Sequence, residues 1–386
     1  MADPGDVHEA IQAAREALDE MPQDHHDRAI YLDSLGVALG DRYSTTGDAA
    51  DLEEAIRLSW EAVNITPEDS PDRAGRLSNY GIRLAERYSM RREITDLEDA
   101  IRIMRQVVDI TPRDDPDKAM YLNNLGTALG DRYLQTSRIA DLDESIQITQ
   151  EAIDAAIDNY SDRAMYLNSL GLRLGDRYLR TGETADLENA IGVVREAISI
   201  TPEDSPDRAL YLNTLGVELG HQYSKTGAVP DLEESIRVAR EAVDAAPQYH
   251  PDRAMYLNSL GLALGDQYSI TKAMSDVENA ILALREALDL TPEDSSSRAI
   301  YLNSLGNQFG HRYSETGAIA DLEESIRVTQ KAVQLTPKDH PERASWLNNL
   351  GLRLSDRYLR TGTIADSVSI VRELAARMVD FDGHPS

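Results

Sequence analysis

One amide side chain recurs along this chain at intervals of 45 residues, at Asn123, Asn168, Asn213, Asn258, Asn303 and Asn348. Each asparagine offers one acceptor and two donors, and donors and acceptors alternate along an extended peptide backbone. The row therefore predicts a surface that holds a bound backbone by hydrogen bonds. The alternative is that each asparagine bridges its own helix to the neighbouring one.

Two further polar rows accompany the asparagines. The residue after each one is small and polar or an amide, as at Asn124 and Asn349. A row of acids that includes Asp131, Asp176 and Asp266 follows at the same interval. The acids predict a basic or amphipathic partner segment. Arginines directly after many of these acids, such as Arg132, are expected to pair with the acids beside them rather than to bind a ligand.

Motifs of known catalytic or cofactor chemistry are absent from the sequence. It contains no Gly-Lys-Ser/Thr phosphate loop and no His-Glu-x-x-His zinc motif. It also has no cysteine, which excludes a thiol nucleophile and a disulfide framework. We therefore predict no catalytic residue, no metal site and no cofactor. The alternative is an enzyme with an unrecognised site lined by residues such as His221 or Asp266.

The polar rows are positioned by a repeat of fixed length. The basic residue of its Asp-Arg-Ala or Asp-Lys-Ala opening falls every 45 residues, at Arg28, Arg73, Lys118, Arg163, Arg208, Arg253, Arg298 and Arg343. A constant period in this range is typical of solenoids, in which each unit packs on its neighbours. We therefore expect one repeat array over residues 1–386.

Each unit carries two apolar patterns with helical spacing. In one unit the first pattern consists of Leu122, Leu125, Gly126 and Leu129, which lie on one side of a helix. We therefore predict an all-α fold: a right-handed superhelical solenoid of antiparallel helical hairpins. The predicted segments are a half-repeat at 6–20, hairpins at 27–65, 72–110, 117–155, 162–200, 207–245, 252–290, 297–335 and 342–381, and a tail at 382–386.

The turn residues support this reading. A Thr-Gly pair such as Gly47 is predicted to end the first helix in a left-handed conformation, and Asp-x-x-Glu, as in Asp51 to Glu54, is predicted to cap the second. Glycines such as Gly130 within the first helices permit close approach of either a ligand or a neighbouring helix. The unit at 72–110 departs most, with Gly75 and Arg76; this is either drift near an end or a specialised contact.

Charge and hydropathy bound the partners. Acidic residues number 68 against 39 basic ones, a net charge of −29, which disfavours nucleic acid and anionic membranes as partners. No apolar run approaches the roughly 18 residues of a membrane span, and no signal peptide is visible. The sequence predicts a cytoplasmic protein and leaves its oligomeric state open.

The pattern Leu122, Leu125-Gly126, Leu129, Ser145 and Ala152 resembles the tetratricopeptide repeat, lengthened to 45 residues. The longer unit is similar to those of kinesin light chains and of fungal and bacterial arrays beside NACHT or CHAT domains. This resemblance implies a non-catalytic scaffold that binds an extended or helical peptide in a concave groove lined by first helices. It also allows a ligand-sensing or autoinhibitory region of a larger NLR-like signalling protein.

Overall fold

The fold is entirely helical in the part of the chain that the structure describes. The computed structural model describes residues 4–156, 160–338, 340 and 342–362, and in these ranges the chain forms sixteen α-helices and no strand. The predicted all-α fold of helical hairpins is confirmed. The predicted last helix within 342–381 and the tail at 382–386 lie outside the described residues.

The chain divides into two compact units, Met1–Thr201 and Pro202–Ser386. The first contains α1 (Pro4–Glu20), α2 (Arg28–Thr46), α3 (Ala49–Ile65), α4 (Arg73–Arg91), α5 (Ile94–Ile110), α6 (Lys118–Thr136), α7 (Ile139–Ala155), α8 (Tyr160–Thr181) and α9 (Thr184–Ile200). The second contains α10 (Arg208–Thr226), α11 (Val229–Ala245), α12 (Arg253–Thr271), α13 (Met274–Leu290), α14 (Ser297–Thr316), α15 (Ile319–Leu335) and α16 (Arg343–Thr361). A single array over the whole chain stays a prediction.

Within each unit the helices pair as hairpins that stack on one another. The backbones of successive first helices approach within 8 Å, as those of α2 and α4 or of α12 and α14 do, whereas second helices of the described ranges meet only through long side chains such as Arg105 and Glu144. First helices are therefore closer together than second helices. This spacing curves each stack so that the first helices form its inner face, which is the face that carries the asparagine row.

Small residues let the two helices of a hairpin pack closely. Ser145 Oγ of α7 donates to the carbonyl oxygen of Gly126 in α6 at 2.5 Å, and Ser325 does the same to Gly306 at 2.6 Å. A Cβ atom on Gly126 would lie 2.6 Å from Thr149 Oγ1. The Leu-Gly pair of the repeat is thus a packing device of the core.

The first helices end as the sequence predicts. Gly47, Gly182, Gly227, Gly317 and Gly362 all have positive φ, between 65° and 76°, and the N–H of each bonds to a tyrosine carbonyl four residues earlier. Three hairpins place another residue in this left-handed conformation: Arg92, Ser137 and Lys272. A side chain with a Cβ is strained there.

The predicted capping box of the second helices is wrong. Helix α3 begins at Ala49, and its cap is Asp48, whose side chain accepts from the N–H of Ala50 at 2.9 Å. Asp51 lies inside the helix and is buried, and both of its carboxylate oxygens accept hydrogen bonds from Arg42 at 2.6 and 2.7 Å. The acid of the Asp-x-x-Glu pattern therefore holds the two helices of a hairpin together.

This bidentate pairing recurs, and it accounts for the arginines that follow the acidic row. The equivalent pairs are Arg87–Asp96, Arg132–Asp141, Arg177–Asp186 and Arg312–Asp321, with oxygen–nitrogen distances of 2.6 to 3.0 Å. The predicted partners of these arginines are therefore wrong: each arginine pairs with an acid, but that acid lies on the second helix of the hairpin rather than beside the arginine.

The basic residue that opens each unit links one hairpin to the next. Arg298 Nη1 donates to the carbonyl oxygens of Leu288 and Thr291, at 2.9 and 2.6 Å, at the end of α13. The same contacts are made by Arg28, Arg73, Lys118, Arg253 and Arg343 to the helix before each of them. A cation here satisfies terminal carbonyls and complements the negative end of the helix dipole.

Candidate functional site

The asparagine row lies along the first helices, and most of its side chains are buried. Asn123, Asn168, Asn213 and Asn258 are only 4 to 8% exposed. The Oδ1 atom of each of these four is buried without a hydrogen-bond partner. Asn303 is half-buried and Asn348 is exposed. The first helices therefore carry four equivalent buried acceptors, two in each compact unit. None of the four has a hydrogen-bond partner in the described part of the chain.

At two positions the row is bridged by an amide of the following hairpin. Asn349 Nδ2 donates to Asn303 Oδ1 at 3.3 Å, and Asn79 Nδ2 donates to both oxygens of Asp33 at 3.1 and 3.2 Å. The positions that follow Asn123 and Asn213 in this pattern hold Ser169 and Ser259. These serines bond instead to carbonyls of their own helices, at 3.0 and 3.2 Å. Bridging and unbridged asparagines thus coexist in one chain.

Apolar side chains run beside the asparagines. Met120, Met165 and Leu172 of the first unit, and Val217, Leu262 and Ile300 of the second, are each 36 to 44% exposed. All of them belong to first helices, so they lie on the inner-face side of each stack. These exposed apolar residues form a surface that can contact the side chains of a peptide.

The predicted acidic residues differ in their surroundings. Arg173 lies between Asp131 and Asp176, with oxygen–nitrogen distances of 3.8 and 3.3 Å. Burial raises the pKa of Asp131, and the Arg173 charge opposes that rise. Asp266 is exposed and has no ion-pair partner among the described residues. Of the three predicted acids, Asp266 keeps the most uncompensated charge for a partner.

The glycine row is filled by side chains of the following hairpin. The space that a Cβ atom would take at Gly40, Gly130 and Gly310 is occupied by the guanidinium groups of Arg83, Arg173 and Arg353. Gln308 occupies the equivalent space at Gly265. These glycines therefore admit a neighbouring side chain rather than a ligand, and the arginines so placed pair with acids such as Glu86.

The first unit also has a pocket of about 480 Å³ on the inner faces of α2, α4 and α6. Its lining includes Asp33 and Ile30 from α2, Gly75 and Ser78 from α4, and Met120 from α6. The middle helix, α4, belongs to the repeat at 72–110, whose sequence departs most from the other repeats. The sequence marks this departure at Gly75 and Arg76 but does not predict a cavity.

Histidines give no catalytic arrangement in the described ranges. His221 Nδ1 lies 3.3 Å from Glu218 Oε2, and burial lowers the pKa of His311. One set of three ligand-type side chains, His25, His26 and Asp27, has its polar atoms within 4.8 Å of each other. These three are consecutive on one turn, where the N–H of Asp27 donates to His25 Nδ1.

The sequence of the repeat matches a recognised family. The family model for the tetratricopeptide repeat TPR_10 matches residues 208–252, which is one 45-residue unit. The unit at 208–252 is therefore a tetratricopeptide repeat. The predicted resemblance is thereby confirmed, and the same 45-residue spacing runs through the other units. Tetratricopeptide repeats are in general protein-interaction scaffolds that bind proteins or peptides, and they are typically non-catalytic.

Several solved structures are similar to the chain. A putative kinesin light chain of Podosopora anserina with nearly identical TPR-like repeats is 15% identical and has a TM-score of 0.42, covering 60% of this chain and 100% of its own. BtubC from P. vanneervenii is 17% identical with a TM-score of 0.46, covering 65% and 93%. The protein TTC0263 of Thermus thermophilus is 18% identical with a TM-score of 0.42, covering 60% and 98%.

A comparison with curated proteins finds no match. In the described ranges, no helix combines the length and apolar character needed to cross a membrane.

Two features of the inner face are not apparent at the level of sequence. The arginines that fill the glycine row belong to the next hairpin, so a reading of one unit at a time does not pair them. A partial signal is present: Arg83, Arg173 and Arg353 each follow a repeat with glycine at the matching position, although Ala263 also follows a glycine, Gly220. The pocket depends on three helices at once, which no local pattern encodes.

Proposed function

We propose that the inner face of the tetratricopeptide units binds an extended or helical peptide segment of a partner protein. Asn123 and Asn168 in the first unit, and Asn213 and Asn258 in the second, bond to the backbone of that segment. Asn124 lies beside Asn123 on α6, and Asn303, Asn348 and Asn349 extend the polar surface along the later first helices α14 and α16. The protein acts as a non-catalytic interaction scaffold.

The observation that carries the proposal is the set of unpartnered Oδ1 atoms. A buried acceptor without a partner costs about 1–3 kcal/mol, so four equivalent ones in a row are unfavourable in the free protein. A half-turn of each amide exchanges its oxygen and nitrogen, which lets either atom meet a donor or an acceptor of the ligand. A bound backbone supplies both kinds of group.

The chemistry of the partner follows from the neighbouring side chains. Exposed Met165, Leu172, Leu262 and Ile300 favour a segment that carries apolar side chains. The charge of −29 and the unpaired Asp266 favour basic groups beside them. Asp131 and Asp176 contribute less, because Arg173 already lies against both. A basic amphipathic segment satisfies these requirements together.

A peptide selection tests this proposal and supplies a ligand for measurement. Peptides of 12 residues are selected from a random library on the full chain, and the dissociation constant of the best binder is measured by calorimetry. The double variant Asn213→Ala/Asn258→Ala is expected to weaken binding by about tenfold or more, which corresponds to about 1.4 kcal/mol. Its melting temperature is expected to change little, since neither Oδ1 has a bond to lose.

The matched control lies on the other face of the same unit. Arg237→Ala/Glu241→Ala removes an exposed ion pair of the second helix α11 and leaves the first helices unchanged. Binding lost in this control but kept in the asparagine variant would place the ligand on the outer face and contradict the proposal. Equal losses of stability and affinity in the asparagine variant would mean that the row is structural.

A further inference from the structure

The pocket of the first unit exists because one side chain is missing. Gly75 stands where the other 45-residue repeats carry a larger residue, such as Met120, Met165 or Leu210. A Cβ atom built on Gly75 would have only the hydroxyl of Tyr121 nearby, at 3.7 Å. The position is therefore open, and Ile30, Ile82 and Met120 form the apolar part of the wall around it.

The polar part of the wall carries a carboxylate, Asp33, whose hydrogen-bond donor is a neutral amide. Asp33 occupies the position of the asparagine row, and it accepts two hydrogen bonds from the neutral amide of Asn79. Burial raises the pKa of Asp33, so its charged form is disfavoured in the free protein. It has no ion-pair partner among the described residues.

The nearest cation is already committed elsewhere. Arg76 takes the place of the tyrosine found at Tyr31 and Tyr121, and it is 7% exposed. It donates to Thr66 Oγ1 at 2.6 Å and to Asp72 Oδ2 at 3.1 Å. With Asp33, Asp72 and Asp117 against one arginine, the lining keeps a negative charge.

A second feature of the wall points to a polar occupant. Ser78 is 4% exposed, and its side chain belongs to the lining of the pocket. Tyr121 also lines the pocket, and burial raises its pKa to about 12, so its hydroxyl stays protonated at neutral pH. These groups can accept from a donor that enters beside Asp33.

We infer that this pocket binds one cationic side chain, lysine or arginine, of a bound peptide segment. The aliphatic part of that side chain lies against Ile30, Ile82 and Met120, and its charged end bonds to Asp33. The inference rests on the proposed peptide-binding function for its choice of ligand. It adds a specificity site to a face that otherwise contacts the backbone.

The test uses a methyl group in the pocket wall as a local reporter. The full chain is labelled with ¹³C at its methionine methyl groups, and Nα-acetyl-lysine N-methylamide is added in steps, with the arginine and glutamine analogues in parallel titrations. The Met120 signal, assigned with Met120→Leu, is expected to shift and saturate with the two cationic probes and not with glutamine. Met255, at the equivalent position of the second unit, is the internal control and is expected not to move.

Two variants replace a pocket residue by the one that another 45-residue repeat carries at the same position. Asp33→Asn reproduces the asparagine row and can keep the bond to Asn79, as Asn303 does with Asn349. Gly75→Leu fills the pocket as Leu210 would. Both are expected to weaken binding of the lysine probe at least about tenfold. Asp114→Asn, an exposed acid outside the pocket, makes the same change in net charge and is expected to leave binding within about twofold.

The outcomes separate this inference from the groove proposal. A Met120 signal that does not saturate, or that responds equally in wild type and Asp33→Asn, would overturn the pocket. Equal binding of the glutamine probe would do the same. If Met120 responds as expected while the asparagine variant of the second unit keeps its selected peptide, the pocket stands and the groove proposal fails.

Discussion

Asn349 donates a hydrogen bond of 3.3 Å to Oδ1 of Asn303 in the preceding hairpin. The same acceptor is unpartnered at Asn213, where the corresponding residue of the following hairpin is Ser259. The chain thus contains this contact in a closed form, with the hydrogen bond made at Asn303, and in an open form, with no hydrogen bond at Asn213. We propose that the open form is kept for a ligand, and this contrast can be tested by converting one into the other.

The substitution Ser259→Asn is expected to close the open contact. The new amide can donate to Asn213 Oδ1 as Asn349 does to Asn303, which satisfies a buried acceptor. Stability is expected to rise by about 1 kcal/mol, and affinity for a selected peptide is expected to fall. Thermal unfolding and calorimetric binding give the two values. A loss of affinity without any gain in stability would argue against the bridge.

The helix-terminal arginines predict a second measurable effect. Arg298→Met removes the bonds to the carbonyls of Leu288 and Thr291 and is expected to cost about 1–2 kcal/mol. Arg327→Met is the matched control, because Arg327 is largely exposed and pairs with Glu324 on its own helix. It is expected to cost less than about 0.5 kcal/mol. Urea unfolding followed by circular dichroism compares the two, and equal costs would contradict the assigned role.

A third prediction concerns pH. The hydrogen bonds from Arg42 lower the pKa of Asp51 below its usual value. The unfolded chain therefore takes up this proton at a higher pH than the folded chain does. The stabilisation is complete above the unfolded-state pKa of about 4 and is lost as the pH falls through the folded-state pKa.

The variant Asp51→Asn isolates this contribution. At pH 7 it is expected to be less stable than wild type by about 2 kcal/mol, the usual size for hydrogen bonds to a charged group. The difference is expected to shrink as the pH falls below about 4. Melting temperatures of both proteins between pH 7 and pH 3 check this, and a constant difference would show that the charge of Asp51 is not the cause.

The left-handed ends of the first helices give a fourth prediction. Ser137 has φ of 56°, where Gly182 of the next hairpin has 76°. Ser137→Gly is expected to stabilise the protein by about 1 kcal/mol, and Gly182→Ala to destabilise it by about the same amount. Nothing lies within 4 Å of a Cβ atom at Gly182, so a steric clash does not contribute. Changes of the same sign in the two variants would contradict the assignment.

The sequence is sufficient for the fold because its signals are local. The constant spacing of Arg28, Arg73 and Lys118 defines the repeat, and Gly47 marks the end of a helix by its own conformational freedom. Apolar residues at helical spacing then fix which side of each helix is buried. These features depend on one hairpin and not on the hairpins beside it.

Contacts between elements are harder to infer. The Asp-x-x-Glu pattern at Asp51 satisfies a local rule for a helix cap, although the carboxylate bonds to Arg42 on the other helix of the hairpin. Gly40 stands out for its flexibility, but its partner Arg83 belongs to the following hairpin. The asparagine row is evident from its period, yet only three-dimensional packing shows that Asn213 is unbridged and Asn303 is bridged.

Site-specific photocrosslinking tests the central proposal most directly. A photoreactive benzoylphenylalanine is placed at Leu262, on the inner face of α12, or at Leu282, which is 62% exposed on the second helix α13. Each protein is irradiated with a peptide selected on the wild type, and the products are analysed by mass spectrometry. We predict crosslinks from position 262 and none from position 282. Crosslinks from position 282 alone would place the ligand on the outer face and contradict the proposed groove.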